Sequence, residues 1–155
     1  MMEIMNNTNF DEVYAKVLAL VVQKPANLLQ SLCELLKQEV YHYDWVGFYI
    51  LDSSGKELNL GPFAGKPTPH ITIPKGKGIC GQVAASGCTM VVQDVSQVEN
   101  YISCGLEVQS EIVVPVIKDG KFVAEIDIDS HSPAPFTEMD SIFLGKVCDL
   151  VKSLF

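Results

Sequence analysis

Residues 109–129 read QSEIVVPVIKDGKFVAEIDID. Two β-branched runs, 109–117 and 121–129, flank Lys118-Asp119-Gly120, which spells a β-hairpin. Side chains alternate faces along a strand. Phe122, Ala124, Ile126 and Ile128 therefore fall on one face, and Val123, Glu125, Asp127 and Asp129 on the other. A two-residue Asp119-Gly120 turn pairs Ile112 with Asp127 and Glu111 with Ile128, and mixes the faces. A three-residue loop pairs Ile112 with Ile126, Val114 with Ala124 and Val116 with Phe122. Register follows the buried face, so the second pairing is expected, with Glu111 opposite Asp127 and beside Asp129.

Facing carboxylates repel by up to ~1 kcal/mol when exposed. Such a row is either a solvated face or a site that shares a proton or holds a cation. Crowding raises one carboxyl pKa and yields an acid able to donate near neutrality.

Outward from the hairpin the chain reads as α+β. A helix begins at Thr8, where Thr8 and Asp11 resemble a capping box, and Pro25 ends it. A second helix carries Leu28, Leu29, Leu32, Leu35, Leu36 and Val40 on its apolar side. WVGFYILD (45–52) is a strand, with short strands over 56–62, 70–73 and 89–93. A short helix over 79–86 stops at Gly87. Residues 94–108 read as a loop with one helical turn. Thr137 and Asp140 form a second capping box, opening a helix with Ile142, Phe143, Val147, Leu150, Val151 and Leu154 on one side. The expected architecture is a central antiparallel sheet, terminal helices on one face and a loop-covered pocket on the other.

With 155 residues and 48% hydrophobic content, one domain over 1–155 with a real core is expected. The net charge of −8, from 11 basic and 19 acidic residues, argues against a nucleic-acid partner. The longest near-apolar stretch, Val17 to Val22, is far below the ~18–20 residues that span a bilayer, so no membrane association is expected. The first ten residues do not resemble a signal peptide, so the expected location is cytoplasmic.

Five cysteines, an odd number, argue against a structural disulfide framework, and their spacing matches no zinc pattern. Cys33 and Cys148 read as core residues. Cys104, in an SCG loop feeding the acidic strand, and Cys80, at the start of the short helix, are the candidates for reactivity. A helix N-terminus favours a thiolate at Cys80.

Together WVGFY (45–49), LGPFAGKP (60–67), IPKGKGICG (73–81), SEIVVP (110–115) and IDIDS (126–130) resemble the free methionine-(R)-sulfoxide reductases, a family built on a GAF domain. The resemblance implies an oxidoreductase without a cofactor or a metal. Cys104 attacks the sulfoxide sulfur, methionine leaves, and Cys80 resolves the sulfenic acid as a disulfide that thioredoxin reduces. Glu111, Asp127 and Asp129 would orient the reaction, protonate the oxygen and hold the amino group. Trp45 and Tyr49 would cover the sulfonium-like centre and methyl group. His70 stands where the family often has a third cysteine, and Gly105 where it often has Asp, leaving the resolving step to Cys80 alone or with Cys88. By analogy, terminal helices could pair two copies as a homodimer. The competing readings are a GAF small-molecule sensor and a thiol redox switch on Cys80 and Cys104.

Overall fold

The computed structural model describes residues 8–99, 101 and 107–155. Helices α1 (Phe10–Gln23) and α2 (Leu28–Glu39) precede strands β1 (Trp45–Leu51), β2 (Glu57–Ala64) and β3 (Thr72–Pro74). Helix α3 (Gly78–Ser86) follows, then β4 (Met90–Val92), a 3-10 turn at Val95–Gln97, β5 (Ser110–Lys118), β6 (Lys121–Ser130) and helix α4 (Glu138–Val151). The six strands form one antiparallel sheet in the order β3-β2-β1-β6-β5-β4. No helix of the described residues is long and apolar enough to cross a membrane.

Alternation along the three central strands sorts their side chains between two cores. Val46 and Phe48 of β1, Ile112, Val114 and Val116 of β5, and Ala124, Ile126 and Ile128 of β6 face the helices at the two ends of the chain. Val13, Val17, Leu32, Leu36, Phe143, Leu144, Val147 and Val151 complete that core. Trp45, Tyr49 and Val113 point the other way and pack with Leu58, Ile73, Ile79 and Val83. The second face is therefore covered by α3 as well as by loops.

The hairpin corrects the expected register. Asp119 (φ 52°) and Gly120 (φ 75°) form the two-residue turn, and Lys118 pairs with Lys121. Both central residues at positive φ are what a twist-matched hairpin turn requires, and Asp-Gly supplies them. A bulge then absorbs the mismatch. Ile117 pairs with Phe122 but Val116 pairs with Ala124, so Val123 is the extra residue. Below it, Val114 meets Ile126, Ile112 meets Ile128, and Glu111 meets Asp129 rather than Asp127. The bulge also reverses two expected orientations: Phe122 packs with the second core and Val123 with the first.

Caps and stripes differ in smaller ways. Asn9 caps α1, its side chain accepting from Glu12 N–H at 3.2 Å, so the helix starts one residue later than a Thr8 cap would place it. The α4 capping box forms as expected: Thr137 Oγ1 accepts from Met139 N–H, and Asp140 Oδ2 accepts from Thr137 N–H at 2.8 Å. Farther along α4, Leu144 and Cys148 occupy the core, whereas Ile142 and Leu154 are about half exposed. The buried stripe steps by four from Asp140 through Leu144 and Cys148, leaving Ile142 on the opposite side.

Candidate active site

Three strands and one helix build the site. On β6, Glu125, Asp127 and Asp129 lie side by side on the second face, and all are buried. Each carboxylate sits between two neighbours in register. Asp129 lies between Trp45 and Glu111, Asp127 between Gly47 and Val113, and Glu125 between Tyr49 and Pro115. A wet edge is thus excluded.

Gly47 lets this row lie under an aromatic roof. A Cβ there would stand 2.3 Å from the Trp45 ring, so only glycine lets the indole fold over the strand. The indole stacks on Phe63 with ring centres 5.5 Å apart, and its N–H donates to Lys66 O at 3.0 Å. Tyr49 is fully buried and its hydroxyl donates to His70 O at 2.8 Å. Half-buried His70 thus offers this site its backbone carbonyl.

Helix α3 brings the thiol. The loop 74–78 turns back on the first turn of the helix, where Gly76 N–H donates to Gly81 O at 2.8 Å. A Cβ on Gly81 would come within 2.6 Å of Pro74 O. This close approach presses Cys80, 5% exposed, against the acidic row, with Sγ 3.8 Å from Glu111 Oε1. A small cavity lined by Ile73, Lys77, Gly78, Ile79, Cys80, Glu111 and Asp127 opens there.

The electrostatics follow from burial. Asp127 is pushed up to about 6 by loss of solvent, although the nearby Glu111 and Cys80 side chains offset part of the rise. Burial also drives Glu125 well above the usual carboxyl range; the Cys80 thiol beside it offsets some of this, and the Asp127 charge adds to it. Cys80 moves well above an ordinary thiol through burial first, then through the charges of Asp127, Glu125 and Glu111. This corrects the expectation of a thiolate at the helix N-terminus: the dipole is worth at most ~1–2 kcal/mol, and burial beside carboxylates outweighs it. None of the four carboxylate oxygens of Glu125 and Asp127 meets hydrogen-bond geometry with a partner among the described residues. Burial thus favours the neutral thiol at Cys80 and raises the proton affinity of Glu125 and Asp127.

The structure gathers Cys80, Glu111, Asp127, Asp129, Trp45 and Tyr49 around one face. Cys104 lies outside the described residues. Cys33 and Cys148 are buried, and burial pushes both thiols up to about 12. Cys88 is exposed beyond the end of α3. Glu125 is a site residue that the sequence reading placed on the acidic face without giving it a role. Gly47 and Lys77 lie within the WVGFY and IPKGKGICG motifs, but the sequence assigned neither a role.

The GAF domain model matches residues 25–153. The X-ray structure of free methionine-R-sulfoxide reductase from Neisseria meningitidis, in complex with its substrate, is 35% identical, with a TM-score of 0.86, covering 93% of this chain and 86% of that one. The reduced form of fRMsr from Staphylococcus aureus is 34% identical, with a TM-score of 0.88 and 98% of both chains covered. The curated free methionine-R-sulfoxide reductase of Saccharomyces cerevisiae is 42% identical over 110 residues, which are 70% of this chain and 61% of the yeast protein. The chain belongs to the GAF-domain family, and within it to the group that includes the free methionine-R-sulfoxide reductases.

Proposed function

We propose that the protein reduces free methionine (R)-sulfoxide to methionine with Cys104 as nucleophile. The Cys104 thiolate bonds to the sulfoxide sulfur and the sulfoxide oxygen takes up one proton. That hydroxyl then passes from the substrate sulfur to the Cys104 sulfur as the new sulfur–sulfur bond breaks, so methionine departs with the electron pair and Cys104 is left as a sulfenic acid. Cys80 then attacks that sulfur, water leaves, and a Cys80–Cys104 disulfide remains. Thioredoxin supplies two electrons and two protons to restore both thiols.

The observation that carries this reading is the buried row Glu111, Asp127 and Asp129 beside Cys80, with Asp127 titrating at about 6. A carboxyl group poised there can hold or give a proton near neutral pH. The same row suits the substrate's ammonium group. Trp45 and Tyr49 supply the apolar wall for its methylsulfinyl end. We also infer that the protein works in the cytoplasm, and that two copies pair through their terminal helices.

A methionine-release assay tests this with both sulfoxide epimers, free and peptide-bound. Only free (R)-sulfoxide should be consumed. Cys104→Ser should abolish turnover, and Cys80→Ser should yield about one methionine per chain and then stall with thioredoxin. Full activity in Cys104→Ser, or equal use of the peptide-bound form, would overturn the proposal.

A further inference from the structure

The tertiary structure assembles a donor set that cysteine spacing in the sequence does not contain. Cys80 comes from α3, Glu111 from β5 and Asp127 from β6, and one ligand atom of each lies within 4.8 Å of the others. All three residues are buried. The Asp127 carboxylate, 1% exposed, lines the cavity there with both oxygens unpartnered among the described residues. The cavity has room for about one water-sized particle.

We propose that Cys80, Glu111 and Asp127 bind a single zinc ion, which is distinct from any requirement of the reductase reaction. The donors select the metal. A sulfur and two carboxylates suit a borderline-soft ion, whereas magnesium and calcium ask for six or more oxygens. In a tetrahedral site with Zn–S of about 2.3 Å and Zn–O of about 2.1 Å, sulfur and oxygen stand ~3.6 Å apart. The Cys80–Glu111 separation of 3.8 Å needs an adjustment of only a few tenths of an ångström. Binding replaces the thiol S–H bond with a sulfur–zinc bond and releases that proton to solvent. Three protein ligands leave the fourth tetrahedral position without a protein donor. A zinc ion there takes the room assigned above to the substrate's ammonium group, so the zinc-loaded chain would not turn over.

The test uses the full chain with its thiols reduced, and cobalt(II) as the optical probe for zinc. A thiolate-to-cobalt absorption band should grow to one ion per chain and vanish on adding one equivalent of zinc. Cys80→Ser should lose the band, while Cys88→Ser should keep it. Asp127→Asn and Glu111→Gln should each weaken binding at least ~10-fold, with circular dichroism confirming that the variants fold. These two variants carry the test alone if Cys80→Ser does not fold. Absence of a band overturns the proposal, as does a band that follows Cys88 or Cys104 instead of Cys80, or unchanged affinity in both carboxylate variants. The readout needs no substrate, so the zinc site stands or falls apart from the reductase reading.

Discussion

Asp127 shows how one residue couples chemistry to stability. A free Asp titrates near 3.9, and burial raises this one to about 6 in the fold. Between those values the folded chain holds a proton that the unfolded chain has released. The stabilisation is therefore fully present below about pH 4 and is lost as pH rises through 6. Asp127→Asn, which never ionises, should gain on wild type by an amount on the order of 2 kcal/mol between pH 4 and pH 7. Urea unfolding of both proteins at each pH measures this, and a difference independent of pH would sink the assignment. Alternation alone placed Asp127 on the acidic face. It did not reveal that the face is dry, because periodicity assigns a side without saying what covers it. Cys80 failed in the same way: its position near a helix start was legible, but the three carboxylates packed on it come from distant strands.

At the scale of elements, the loop 74–78 and α3 act as one unit pinned at Gly81. Gly81→Ala would force a Cβ against Pro74 O and Gly76 N, at 2.6 and 3.0 Å. Backbone atoms cannot swing aside as a side-chain tip can, so the loop or helix must shift. We expect a loss of about 1–3 kcal/mol in urea unfolding, and a fall in reductase activity larger than the folded fraction explains, since Cys80 is the adjacent residue. Wild-type stability in this variant would show that the approach is looser than described. Most elements here were legible from strand composition, the stop at Gly87 and the Thr137–Asp140 box. The hairpin was misread because the alternatives were two straight ladders. The molecule instead keeps the Asp-Gly turn and matches apolar partners through a bulge. A bulge adds one residue without changing composition, so no periodicity signals it.

At the scale of the whole molecule, the helical layer is tied across the chain by a buried polar cluster. Asp140, at the start of α4, accepts a hydrogen bond from the Tyr43 hydroxyl at 2.8 Å and meets His42 Nε2 at 2.7 Å. Burial alone would raise its pKa, but His42, the Thr137 N–H and Tyr43 outweigh it and hold Asp140 below the usual carboxylate range. Its stabilisation is thus present above the unfolded value near 3.9 and is lost as pH falls through the folded one, opposite in slope to Asp127. Asp140→Ala should cost about 2–4 kcal/mol at pH 7, and its deficit should narrow below pH 4, as read from thermal unfolding across pH. A deficit unchanged by acid would count against the charged cluster. Sequence spacing showed the Asp140 cap but not His42, which lies 98 positions away. Finally, the extra residue at Val123 bears on how this molecule tolerates changes of length. Removing it would leave Phe122 and Ala124 as neighbours on opposite faces, as in an unbroken ladder, with Glu111 still across from Asp129. Loss of Ala124 would do the same, because Val123 faces the same core, whereas a deletion between Glu125 and Asp129 would put carboxylates on one side of it out of step with those on the other. The hairpin tip can therefore lose a residue while the carboxylate row stays in place.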